Sequence, residues 1–174
     1  MIRRWLAPMM LGLFCGLLAW HATLAIVPRA LMALAVNRVA RAGGINHMTH
    51  AALITAKSRA IVRPSPDLLY SSCPFDVAAA PVLVDVAPID APYWSLSIFD
   101  SRTNVAFVRN NREAGGKPVR VAIALAGQAV PPGYLPVRVD GRRGVALVRV
   151  LIDRTRPITA IDAARRAARC GVAG

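Results

Sequence analysis

The sequence predicts a mainly β protein, an antiparallel β-sandwich preceded by one N-terminal transmembrane helix and followed by a short C-terminal helix. Two observations carry this. From Trp5 to Pro28 there are 24 residues without a charge, more than the ~20 that a helix needs to cross ~30 Å of hydrocarbon. After Pro64 the chain becomes a series of short apolar runs separated by Pro, Gly, Asp and Asn, the texture of antiparallel strands. Of the 174 residues, about 130 remain once the first forty or so are set aside, enough for one sandwich but not for two domains. The expected organisation is an anchor over 1–28, a helical stalk and connector over 29–62, and a sandwich domain with its C-terminal helix over 63–174.

At the N-terminus Arg3 and Arg4 make a positive flank, Trp5 and Trp20 stand where interfacial aromatics sit, and His21 and Thr23 mark the exit into water. These are the features of a signal anchor. Thr23-Leu24-Ala25 offers small residues for a cut after Ala25, so a cleaved signal peptide is the competing reading. Arg29, Arg38 and Arg41 outnumber Arg3 and Arg4, and a positive-inside count alone would leave the rest of the chain in the cytoplasm. The cysteines favour the other side, because Cys73 and Cys170 can pair there, whereas Cys15 in the apolar run reads as filler. Such a bond would tie the first core strand to the C-terminal helix and close a loop of about 97 residues, worth about 4–5 kcal/mol in the chain-entropy model. Two free buried thiols are the alternative.

The hydrophobic fraction of 55% exceeds the ~45–50% of soluble chains, and the anchor accounts for the excess. The formal charge is +13, nearly all of it arginine, since Lys57 and Lys117 are the only lysines. Without the five arginines of the first 41 residues, 17 basic residues face 9 acidic ones, a balance of +8. That suits anionic headgroups or an acidic partner, or simply a solvated basic surface. Nucleic acid is not an expected partner: aromatics are few and no helix-turn-helix or stacking motif is present.

Ala30 to Ala42 continues in helix-forming residues and Gly43-Gly44 ends them. Ile45 to Arg63, with His47 and His50, reads as a connector. The candidate strands are Leu69–Val77, Val82–Val86, Tyr93–Phe99, Val105–Arg109, Val119–Leu125, Leu135–Val139 and Val145–Ile152. In the third, Trp94, Leu96 and Ile98 alternate with Ser95 and Ser97, which face away from the core. Val137 to Val150 reads as a hairpin turning at Asp140 to Gly144. In the C-terminal helix Thr159 is the expected cap, Asp162 completes its box, and Arg165, Arg166 and Arg169 suit the negative helix end.

Pro66-Asp67-Leu68-Leu69-Tyr70-Ser71-Ser72, then Phe75-Asp76-Val77 and Pro81-Val82-Leu83-Val84, resemble the bacterial family called domain of unknown function 1254, which typically opens with Asn-Pro-Asp-Thr-Leu-Tyr-Ser. The likeness continues through Tyr93-Trp94-Ser95-Leu96, Phe99 to Val105 and Arg143 to Asp153, and covers roughly Arg63 to Arg169. At Ser65 the chain departs from the family's usual Asn. The resemblance implies a sandwich of jelly-roll character without an established activity. It also implies a companion domain, that of unknown function 1214, which longer members carry downstream and which a separately encoded partner would supply here. The expected location is the bacterial inner membrane, single pass, with the folded domain in the periplasm.

No pattern of catalysis stands out. His47 and His50 at i and i+3 could begin a metal site, but no Cys or carboxylate follows nearby, and they read as exposed connector residues. Ser71, Ser72 and Cys73 lack a nucleophile-elbow motif and read as packing and hydrogen-bonding residues. Gly115-Gly116-Lys117 lacks phosphate-loop spacing and reads as a turn. Asp67, Tyr70, Asp100, Arg102 and Asn104 are the candidates for one polar ligand pocket, with turn and surface roles as the alternative. No metal, cofactor or catalytic residue is expected. The expected function is partner binding, and the alternative is a small ligand or lipid headgroup held in that pocket, catalytic only within a complex.

Overall fold

A computed structural model describes residues 3–54, 64–153 and 155–173. Helix α1 spans Arg3–Gly43 without a break at Pro8 or Pro28. Its apolar part is bare among the described residues: Trp5, Met9, Leu13, Phe14 and Trp20 are all exposed. Near its other end Met32 and Val36, one turn apart, are buried, because there α1 lies against strands β2 (Leu68–Asp76) and β8 (Arg143–Leu151). The helix stops where Gly44 takes φ +89°, a left-handed conformation that glycine adopts at little cost. Asn46 then fastens the chain to the end of β2: its amide donates to the Pro74 carbonyl at 2.8 Å, and its side-chain oxygen accepts from the Asp76 amide at 2.7 Å.

Two sheets enclose one core. The first has the order β1-β2-β8-β4-β5 and is antiparallel throughout, with β1 at Thr49–His50, β4 at Trp94–Phe99 and β5 at Val105–Asn110. The second has the order β7-β6-β3-β9, with β3 at Val82–Val86, β6 at Val119–Ala124, β7 at Leu135–Arg138 and β9 at Arg169–Val172. Its strands are antiparallel except for the parallel pair β6 and β7. From the first sheet Leu69, Phe75, Trp94, Leu96, Ile98, Val148 and Val150 point inward, and Val82, Val84, Val121 and Ile123 meet them from the second. Burial of each such side chain is worth ~1.5–3 kcal/mol, and the period-2 alternation along each strand delivers them all to one side. Cys73 on β2 and Cys170 on β9 are joined by a disulfide, with Cα atoms 6.4 Å apart, so the bond passes through the core from one sheet to the other.

The mainly β class, the N-terminal helix and the short C-terminal helix are those expected, and the seven expected strands appear within two residues of their expected limits. Five features differ. The connector supplies β1, and Cys170 sits on a strand, β9, rather than on the C-terminal helix.

Val137 to Val150 is not a hairpin, for β7 and β8 belong to different sheets. Both edges of β8 are taken by β2 and β4, and the intended turn is bound from outside: Ser101 donates through Oγ to the Asp140 carbonyl at 2.7 Å, and the Val77 amide donates to that of Arg142 at 2.9 Å.

Helix α3, Ile158–Arg166, starts at Pro157 without a side-chain cap. Thr159 lies inside its first turn, and the Asp162 carboxylate binds Arg165 and Arg166 instead of closing a box.

The stretch before Gly115 forms a single-turn helix, α2, at Asn111–Ala114. Asn110 and Glu113 make its capping box, an Asn-x-x-Glu signal present in the sequence.

Candidate functional site

The five candidate ligand residues do not share a pocket. Tyr70 stands opposite Arg149 on β8, whereas Asp100 follows Phe99, which stands opposite Val145. Along β8 that separates them by about 17 Å at ~3.4 Å per residue. Asp67 lies beyond Tyr70, exposed, with its carbonyl taken by the Ile152 amide at 2.9 Å.

Asp100, Arg102 and Asn104 form the turn between β4 and β5. The buried Asp100 carboxylate accepts from the amides of Arg102 at 2.8 Å and Asn104 at 2.9 Å, and from the Asn104 side chain at 3.1 Å. Those bonds use the carboxylate's acceptor capacity to close the loop around Thr103, whose φ is +67°. Arg102 turns outward to an ion pair with Asp140. The Tyr70 hydroxyl accepts from the Ser65 amide at 3.1 Å.

A polar cluster that sequence reasoning missed sits where α3 meets β1 and β2. Arg165 is completely enclosed. Its guanidinium donates to the Tyr70 carbonyl, to Ser71 Oγ at 3.0 Å, to the Ala51 carbonyl at 3.1 Å and to the Asp162 carboxylate. His50 Nδ1 lies 2.8 Å from the same Ser71 Oγ. Burial first, and then the positive charges of Arg165 and Arg166, hold the His50 imidazole below its ordinary pKa, so the neutral form is favoured. Burial pushes the Asp162 carboxyl up, but hydrogen bonds from Arg166 and Arg165 outweigh it and leave the carboxyl below its ordinary pKa. Beside this cluster lies a cavity of about 140 Å³ lined by Ala51, Leu53, Leu69, Ile158, Thr159 and Asp162. The three guanidinium nitrogens of Arg165, both oxygens of Asp162 and Ser71 Oγ all have partners, which is the pattern of a structural tie.

His47 does not join His50: its Nδ1 is 2.9 Å from the Ile45 carbonyl. Among the described residues no group of three His, Cys, Asp or Glu side chains comes together.

The outer face of the second sheet is partly open. Register places Pro136, Ala122, Leu83 and Gly171 side by side across it, and Arg120, Asp85 and Arg169 in a parallel row. Tyr134 reaches over this row to donate its hydroxyl to Asp85 at 2.9 Å, a bond that raises the phenol above its ordinary pKa. Asp85 also faces Arg120 at 3.4 Å. The trough between them, about 360 Å³, is lined by Pro118, Ala167 and Arg169 as well. Helices α1 and α3 pack on strands of the first sheet; on this second face Pro136, Arg120 and Arg169 are exposed, Leu83 and Gly171 are half-buried, and Ala122 is covered.

A two-sheet domain with a long N-terminal helix defines a class rather than a chemistry. Residues 45–171 match the family model described as "Protein of unknown function (DUF1254)", and the chain belongs to that family. No curated protein matches it. Two solved structures are similar: a structural-genomics protein of Vibrio parahaemolyticus, 23% identical with a TM-score of 0.57 over 63% of this chain and 28% of that one; and an uncharacterized protein from Burkholderia cenocepacia, 15% identical with a TM-score of 0.48 over 74% and 34%. The chain therefore spans about a third or less of the length of either. The first likeness is one of fold.

Proposed function

We propose that the protein is a single-pass envelope protein, anchored by α1 in the bacterial inner membrane, whose β-sandwich domain stands in the periplasm and binds a separately encoded partner protein. The observation that carries the reading is the bare apolar length of α1. Trp5, Met9, Met10, Leu11, Leu13, Phe14, Leu17, Leu18 and Trp20 are each more than half exposed, a continuous apolar surface that water does not tolerate and a bilayer does. The cysteine bond between the sheets suits an oxidising compartment.

For the partner, the support is the outer face of the second sheet, where the exposed Pro136 and half-buried Leu83 lie beside Arg120, Arg138 and Arg169, with the carboxylate of Asp85 among them. Its charge fits an acidic rim on another protein. The extra length of the solved relatives, and the companion domain implied by the family resemblance, make a domain of the 1214 kind the expected occupant. Expected results are an active export-dependent reporter fused after Gly174 on a membrane-bound chain of full mass, and stoichiometric co-purification of a co-expressed companion-domain protein that R120E together with R169E abolishes. A reporter silent outside the cytoplasm sinks the topology. A mass reduced by the leader sinks the anchor, and unchanged co-purification by the double variant sinks the docking face.

A further inference from the structure

We propose that the trough on the outer face of the second sheet binds a single carboxylate between Arg120 and Arg169. Register fixes the frame. Asp85 on β3 stands opposite Arg120 on β6 and opposite Arg169 on β9, so the two arginines flank it from strands about 10 Å apart at ~4.8 Å per step. That is an interval two arginine side chains can close over one small anion.

There is room for it. The trough holds about 360 Å³, within the ~300–1,000 Å³ of small-molecule sites, and Arg120, Arg169, Asp85 and Tyr134 all line it. Both arginines are exposed, so a ligand reaches them without displacing any part of the fold. Pro118 and Ala167 add an apolar wall for a short aliphatic body.

Charge selects the ligand. Asp85 is already engaged, for its Oδ2 accepts the Tyr134 hydroxyl at 2.9 Å and its Oδ1 faces Arg120 Nε at 3.4 Å. Arg120 keeps its two terminal nitrogens for a further partner. Among the described residues no carboxylate lies within ion-pair distance of Arg169. The row therefore has a surplus of one positive charge, which one carboxylate cancels and a phosphate dianion would overshoot beside Asp85. The flat guanidinium fork also matches the two oxygens of a carboxylate. Two sources offer that chemistry: a free small acid, or the chain end or acidic side chain of a docked protein. The site itself depends neither on a docked partner nor on α1 crossing a bilayer.

The test is thermal unfolding of the full chain in a neutral detergent, titrated with N-acetylalanine at constant ionic strength against chloride, with its neutral amide as the control. The expected result is a saturable rise of the midpoint, half-complete in the millimolar range. At about ten times that concentration it should reach about 5 °C for a domain of about 130 residues, and the amide should give none. R120Q and R169Q change exposed side chains, so both variants should fold, and each should weaken binding about tenfold. Inorganic phosphate in its dianion form should bind at least about tenfold more weakly than the acid. Adding N-acetylalanine to a complex with the co-expressed companion-domain protein separates the sources. Release of that protein identifies a carboxylate of the docked partner; an intact complex, or binding where no complex forms, identifies a free acid. No saturable effect, an equal effect of the amide, phosphate binding as tightly as the acid, or unchanged binding in R120Q and R169Q overturns the site.

Discussion

Replacing Arg165 with methionine keeps most of the side-chain volume and removes the guanidinium that joins α3 and the residue after β1 to β2. The loss can be followed partner by partner. The Tyr70 carbonyl would still accept the Ala51 amide at 3.0 Å, Ser71 Oγ would keep His50, and Asp162 would keep Arg166 at 2.7 Å. The Ala51 carbonyl would lose the guanidinium bond described for it. Ala51 is exposed, so water can take that carbonyl, and the charge-assisted bonds lost from the enclosed site, ~1.5–3 kcal/mol each where no substitute remains, set the cost at about 3–5 kcal/mol. A domain of about 130 residues unfolds with an entropy near 0.27 kcal/mol/K, so the midpoint should fall by roughly 11–18 °C. Near-UV circular dichroism of the full chain in neutral detergent reads this, because it follows tertiary packing rather than the helicity of α1. Arg165→Lys retains the charge without the fork and should fall about half as far. A methionine variant melting within about 3 °C of the parent would refute the idea that this cluster holds the elements together.

Three other outcomes follow from the same structure. The depressed His50 pKa means that the unfolded chain takes up a proton first as pH falls below about 6.5, the ordinary imidazole value. Stability is therefore full above that pH and declines as pH falls through the lower folded value, and His50→Gln should flatten melting curves compared between pH 7.5 and 5.5. Gly144→Ala places a methyl against the Phe99 carbonyl and the Phe75 ring; urea unfolding should show a loss of about 1–3 kcal/mol, and an unchanged midpoint would mean that β8 and β4 can move apart there. Replacing both Cys73 and Cys170 by alanine opens a loop spanning 97 residues and should cost up to about 4.7 kcal/mol; a loss under about 1 kcal/mol in denaturant titration would refute that contribution.

The strands were readable wherever a β-branched or aromatic residue recurred at every second position, as in Val82-Leu83-Val84-Asp85-Val86, because that alternation is itself the cause of the fold. β9 was hidden: Arg169–Val172 is four residues with a glycine, directly after a helix. The supposed hairpin failed because Asp140-Gly141 is a local turn signal, whereas pairing depends on which strand edges are free. Asp100 was recognised and its role was a turn, as its neighbours Arg102 and Asn104 suggested. Alternation sets Ser95 and Ser97 away from the core, yet both are buried, because nothing in a strand's own pattern says whether its outward face will be covered. In the sequence Arg165 reads as a helix-end charge, because its enclosure depends on β1, a two-residue strand without a sequence signal.

The link between β2 and β9 has a temporal side. Cys73 is made 97 residues before Cys170, an interval of about 5–20 s at ~5–20 residues per second. Throughout it the first core strand carries a thiol whose mate does not yet exist. The bond therefore works as a completion mark: a nascent or truncated chain stays alkylatable at position 73, and a finished one becomes inert. Cys15 lies outside the bond, in the apolar length of α1, so the closing of the sandwich depends on the arrival of Cys170 alone.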